Sequence, residues 1–211
     1  MADVDWGLVA VFALAVFFLG WYYAAFVYSR RLAGRVATEL KGAVLALGGA
    51  SQIRWFGTTA FRMTTEGANA PFRDVSVTVT LRPREMPINW AIGTAQGRRD
   101  AALVEASLRA NPRIGFELID PMTRIGRRRA RTKGDWSTFS RDGREFLLSA
   151  DDEREARRLL EDLGSASFET ITALHVTAGS EPGIAASVSV ETGHAARGVA
   201  AIRSLAERLV G

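Results

Sequence analysis

The sequence predicts an α+β fold: a single N-terminal transmembrane helix followed by a cytoplasmic, antiparallel-rich sheet with helices packed on one side. Three observations predict it. Residues 6–28, WGLVAVFALAVFFLGWYYAAFVY, carry no formal charge. At about 1.5 Å per residue they reach roughly 34 Å, enough to cross a bilayer core of about 30 Å. Residues 75–81, VSVTVTL, alternate strictly between apolar and polar side chains, the period of a half-buried strand. Short strand-like runs then follow one another directly, without the βαβ alternation of a parallel sheet.

The flanks of the apolar stretch set its orientation. Asp3 and Asp5 precede it, and Arg30, Arg31 and Arg35 follow it. Basic residues stay on the cytoplasmic side, which predicts an outside N-terminus and an inside domain. Trp6 at one end, and Trp21, Tyr22, Tyr23 and Tyr28 towards the other, match aromatic belts at two interfaces. A cleavable signal peptide has a basic n-region, a shorter apolar core and small residues at its exit. This segment has an acidic n-region, a long core and a bulky aromatic exit. A buried soluble helix rarely lacks polar positions for six turns. The chain therefore divides into an anchor at 1–29 and a cytoplasmic domain at 30–211, with a connecting amphipathic helix over 30–48.

That connecting helix rests on Leu32, Val36, Leu40, Val44 and Leu47, with Gly48-Gly49 ending it. Residues 53–56 and 61–64 predict two short strands with Gly57 near their turn. The alternating strand ends at Pro83 and Pro87. Residues 101–108, 114–119 and 145–149 predict further strands, with Asn111-Pro112 marking a turn. Asp151 or Asp152 caps a helix reaching about Leu163, which Gly164 closes. Strands at 171–176 and 184–190 flank a glycine-rich turn at 179–183. A last helix spans 194–209, with Val199, Ile202, Leu205, Ala206 and Leu209 on one face.

Composition restricts the chemistry. There is no cysteine, and the only histidines are His175 and His194. Thiolate metal sites and disulfides are excluded, and a zinc centre or catalytic triad has little to build on. Two lysines stand beside twenty-five arginines. The glycines at 48–49, 93 and 97 form neither a GxGxxG fingerprint nor a Walker loop. The carboxylates at Asp151, Asp152, Glu153 and Glu155 are explained by a helix start. The two histidines fit core or cap positions, and Ser165 and Ser167 lack a nucleophile-elbow context. No enzyme activity, metal or cofactor is expected.

Two stretches exceed an ordinary solvated surface. Arg124, Arg127, Arg128, Arg129, Arg131 and Lys133 place six basic groups in ten residues with no acid among them. They read either as a solvated loop or as a contact for a polyanion, anionic lipid or ribosomal RNA. Trp136 and Phe139 follow closely and suit either stacking or the core. The second stretch, 82–93, runs RPREMPINWAIG. Met86, Ile88, Trp90 and Ile92 in it read either as a short core helix or as a surface resting on the bilayer or on a partner's membrane helix.

The order of parts resembles the calumin family, the single-span coiled-coil subunit of the PAT chaperone complex in the multipass translocon. The likeness begins at WYYAAFVYSRR and continues through FRDVSVTVTL, the apolar stretch around INWAIGTAQGRRD, and AALVEASL. It resumes in ITALHVTAG, a Gly/Pro turn, GIAASVSV and VAAIRSLAERL. The resemblance implies a compact prokaryotic, archaeal relative and a role in membrane-protein biogenesis as a translocon-associated chaperone. Two features depart from the family: only MADVD precedes the span, and no basic coiled coil follows the last helix. Ribosome binding through such a coiled coil is therefore not expected, and no site residue is carried across.

Together these readings predict a single-pass cell-membrane protein that is not an enzyme and that assists insertion or assembly of multi-span membrane proteins. Its expected partners are the membrane, the Sec channel or an Oxa1-superfamily insertase, with ribosome or anionic lipid contacting the basic run. The alternative is a membrane-tethered scaffold or a lipid- or RNA-binding module. No small-molecule substrate is evident.

Overall fold

The computed structural model describes residues 5–132, 135–179 and 181–210. It begins with α1 (Trp6–Leu45), a single helix of 40 residues. Asp5 caps it, its carboxylate accepting hydrogen bonds from the amides of Gly7 at 2.9 Å and Leu8 at 3.3 Å. Residues 6–20 are exposed on every side. From Ala25 onward a buried stripe appears, Ser29, Ala33, Val36, Ala37, Leu40 and Val44, at the three- and four-residue steps of one helix face. No break falls at residues 29–30, so the expected boundary between anchor and domain lies inside a continuous helix. What changes there is the surroundings of the helix. Gly48 and Gly49, both at positive φ, end the segment. A Cβ on Gly49 would sit 2.4 Å from the Glu66 carbonyl oxygen, so only glycine fits this return into the sheet.

Nine strands follow: β1 (Ala50–Trp55), β2 (Ala60–Glu66), β3 (Phe72–Thr80), β4 (Ala101–Leu108), β5 (Phe116–Ile119), β6 (Ser137–Arg141), β7 (Arg144–Ala150), β8 (Ile171–Val176) and β9 (Ile184–Ser189). They form one antiparallel sheet in the order β1-β2-β3-β4-β9-β8-β5-β7-β6. The first four make a meander. The β8–β9 pair is threaded between β4 and β5, so chain segments distant in sequence meet at the centre of the sheet.

One face holds the core: Val75, Val77 and Val79 of β3, Ala102, Val104 and Ala106 of β4, and Ile184, Ala186 and Val188 of β9. Over it lie the second half of α1, α4 (Glu153–Glu161), α5 (Ser165–Thr170) and α6 (His194–Val210). α6 buries Val199, Ile202, Leu205, Ala206 and Leu209. Complete burial of side chains such as Leu40 and Leu205 contributes about 1.5–3 kcal/mol each. At Gly198 the helix approaches β9 so closely that a Cβ would lie 2.3 Å from a Val188 methyl.

The remaining helices, α2 (Pro87–Ala95) and α3 (Arg124–Thr132), do not join that layer. All of β5 is buried, including Glu117 and Ile119 on the face opposite the core. α3 reaches this face, where its Arg129 pairs with Glu117 at 3.4 Å. The helices are therefore not all on one side, which corrects the one-sided expectation.

Other boundaries also move. The segment read as a basic loop is the helix α3. Gly164 does not close α4 with a left-handed residue; at φ −61° it precedes α5. The hairpin β6–β7, turning at Asp142-Gly143, has positive φ at both turn residues. The sequence reading placed a strand only on its second arm.

Candidate membrane-facing site

The site forms where α1 enters the domain. Chain leaving β3 crosses this point as Arg82-Pro83-Arg84, and Pro87 starts α2 at its first turn, where a missing amide costs nothing. The Trp21 indole donates to the Arg84 carbonyl at 2.8 Å, and its ring packs on Trp90 of α2 with centroids 5.7 Å apart. The Arg84 guanidinium lies over the Tyr28 ring at 5.3 Å and pairs with Asp100 at 2.6 Å. Asp100 also accepts from the Arg82 amide at 2.7 Å. This clasp closes the two ends of the β3–β4 connection and holds α2 against the aromatic end of the apolar stretch.

α2 leaves its apolar side chains outward. Met86 is 61% exposed, Ile88 65% and Ile92 50%, and the one buried residue of the helix is Gly93. This excludes the core-helix reading of the stretch. Trp90 differs from its neighbours: it is half-buried on Trp21 and anchors the helix instead of presenting a surface. That corrects its grouping with the other three.

α3 starts through Thr123, whose hydroxyl accepts from the Gly126 amide at 3.0 Å and donates to the Asp120 carbonyl at 2.8 Å. A Cβ on Gly126 would fall 2.0 Å from that carbonyl oxygen. Arg124, Arg127, Arg128 and Arg131 share one face of the helix, as steps of three and four require. Arg129 is not on that face and pairs with Glu117 at 3.4 Å, its side chain still 59% exposed. Lys133 lies outside the described residues. Phe139 is a core residue, in ring contact with Phe168 at 5.7 Å. It therefore provides no stacking surface beside the arginines.

The two helices meet. Arg124 donates to the Gln96 side chain at 3.2 Å, and Arg127 to the Met122 carbonyl at 3.0 Å. Between them, over the ends of β3, β4, β8 and β9, opens a groove of about 520 Å³. It adds Arg82, Arg98 and Arg99 to the basic residues, none of which the sequence reading named as contacts. The signal was present, since RPR precedes α2 and GRRD follows it. Their convergence with α3 depends on the strand order.

The other candidates have structural roles. Asp152 caps α4, accepting from the Glu155 amide at 3.1 Å, and Asp151 accepts from the Gly115 amide at 3.2 Å. Glu153 pairs with Arg157 at 2.7 Å; that hydrogen bond first, and Ser137 second, hold its carboxyl below the usual range. His194 sits at the start of α6, and His175 is exposed on the open sheet face, which excludes a core role for it. Among the described residues no group of three or more His, Asp or Glu converges as a metal site would. The groove hydroxyls of Thr123 and Thr172 bond to the backbone or to Ser187 and contact no carboxylate or imidazole. No protein-family model matches this chain, and no curated protein matches it.

Proposed function

We propose that the protein is a non-enzymatic, single-span membrane factor whose cytoplasmic domain assists insertion or assembly of multi-span membrane proteins beside the Sec channel or an Oxa1-superfamily insertase. One observation carries the reading: α2 is fixed against the aromatic end of the apolar half of α1, and turns Met86, Ile88 and Ile92 outward. The apolar half is long and apolar enough to cross a membrane, and only 6% of its most apolar window is buried. Such a helix exposed on all sides needs lipid as its solvent. The arginines after it favour the cytoplasmic side for the domain.

An apolar surface held at the interface is suited to covering partly polar transmembrane helices, which are costly in lipid until their own partners arrive. A photo-crosslinker at Ile88 or Ile92 in native membranes should capture channel subunits or nascent multi-span proteins. Crosslinks to lipid alone would reduce the protein to a tethered lipid-binding module. Protease added to right-side-out vesicles should spare the domain, and its digestion in sealed vesicles would overturn the cytoplasmic placement.

A further inference from the structure

We propose that the groove between α2 and α3 binds the headgroup of an anionic phospholipid, phosphate against arginine, so that the domain is oriented on the bilayer by a lipid as well as by its span. The inference rests on the membrane reading above but concerns a different surface from Met86, Ile88 and Ile92.

Charge is the first argument. Arg82, Arg98, Arg99, Arg124 and Arg127 line the groove against one carboxylate, Asp100. That carboxylate is already engaged by Arg84, by the Arg82 amide and by the Arg82 guanidinium at 3.7 Å, so among the described residues Arg82 is the one paired arginine of the lining. Among the described residues Arg98, Arg99, Arg124 and Arg127 make no ion pair; Arg124 and Arg127 bond only to neutral oxygens. An anion entering here meets guanidinium groups whose planar forks match phosphate oxygens, without first breaking salt bridges.

Position is the second. Trp90, which touches Trp21 of α1, and Gln96, at the groove, are six residues apart on and just beyond α2, about 9 Å along its axis. The Arg82 guanidinium donates to the Thr94 hydroxyl at 3.3 Å and fixes the groove wall to the same helix. The end of α2 at the groove thus lies about 9 Å along the helix from the residue that touches α1, comparable to the Debye length of about 8 Å at physiological salt.

The lining chooses between polyanions. Beside the arginines stand exposed apolar side chains at the rim, Met122 at 79% and Ile125 at 59% exposure. Among the described residues no aromatic side chain lines the groove, whereas single-stranded RNA is held largely by stacking on such rings. An arginine-lined concavity with an apolar rim suits a phosphate joined to acyl chains.

The test uses the full chain in a neutral detergent, titrated with short-chain phosphatidylglycerol or phosphatidylcholine and read by native mass spectrometry. Phosphatidylglycerol should bind saturably at one site, and phosphatidylcholine should not. The triple substitution Arg98→Gln, Arg99→Gln, Arg127→Gln should weaken binding by about fivefold per charge removed, with an unchanged melting temperature. The corresponding Lys substitutions should retain most of the affinity, which separates lost charge from lost fold. Equal binding of the two lipids, undiminished binding by the Gln variant, or displacement by an RNA oligonucleotide at lower concentration would overturn the proposal. So would inorganic phosphate binding as tightly as the lipid, which would make the groove a site for free phosphate. Met86→Ser with Ile88→Ser should leave lipid binding intact while abolishing photo-crosslinking from a probe at Ile92, so the two readings fail separately.

Discussion

α2 and α3 are both nine-residue helices, both are inserted between strands, and both bury a single glycine. Their exposed faces are opposite in kind. α3 shows water a row of arginines, which are at home there. α2 shows it Met86, Ile88 and Ile92, which are not. The basic helix is thus stable as it stands and gains a partner only if a polyanion arrives, whereas the apolar one leaves surface that something should cover. The means of attachment differ as well. α3 is held by a backbone approach that excludes any side chain at Gly126. α2 is held by ring packing of Trp90 on Trp21 and has room at Gly93, where a Cβ would meet Arg98 at an ordinary 3.6 Å.

The largest effect should come from breaking the tighter attachment. Gly126→Ala puts a methyl 2.0 Å from the Asp120 carbonyl oxygen, so α3 must lift off β5. Overpacking of this kind costs about 1–3 kcal/mol. Denaturant unfolding should register the loss, and hydrogen exchange should quicken over 123–132. Wild-type stability in this variant would mean that α3 is not seated where its glycine places it.

Trp90→Ala should cost less, about 1–2 kcal/mol, from one half-buried ring and its aromatic partner. The consequence is local. Exchange should rise across α2 while α3 stays protected, and crosslinking from Ile88 should become unselective because the helix is no longer held beside α1. Unchanged protection of 87–96 would shift the anchoring to the Arg84–Asp100 clasp.

Much of this architecture is legible in the chain, and the exceptions have physical causes. The strand at 171–176 follows from its β-branched Ile171, Thr172 and Val176, and the one at 101–108 from an apolar run that stops before the Asn111-Pro112 turn. The β6 arm reads STFSR, with Asp142-Gly143 as a hairpin signal, but its polar positions disguise a strand whose one buried side chain is Phe139. α3 offers almost no apolar periodicity because it contributes no side chain to the core; its helical start rests on a Thr123 hydroxyl and a glycine. Of the site, the residues of each helix were readable and the meeting of the two was not. Arg82, Arg98 and Arg99 come to Arg124 and Arg127 only because β8 and β9 are threaded between β4 and β5. No local pattern encodes that.

Gly93→Ala should act in the opposite direction to Gly126→Ala. With space for the methyl and no positive φ, the substitution removes a helix-interior glycine and should stabilise α2 by about 0.5–1 kcal/mol. Paired melting curves of the two glycine variants are the most direct test of the comparison. Destabilisation at both positions would show that α2 is also seated by a close backbone approach.

The smallest effect belongs to a third nine-residue helix, α4, which unlike the other two buries side chains, Ala156 and Leu160. Its Glu153 is the carboxylate whose titration separates this helix from α2 and α3, since neither of those contains an acid. The hydrogen bond from Arg157, and then Ser137, lowers its folded-state pKa below the unfolded value. The sign follows: the pair contributes stability above the unfolded pKa, and the contribution is lost as pH falls through the folded one. Because Glu153 is exposed to solvent, the loss should be slight. Glu153→Gln should therefore lower the melting temperature a little at neutral pH and not at all in acid. A constant difference across that range would assign the effect to helix N-terminal charge or packing, not to the ionised pair, and would leave α4 held by its buried face alone.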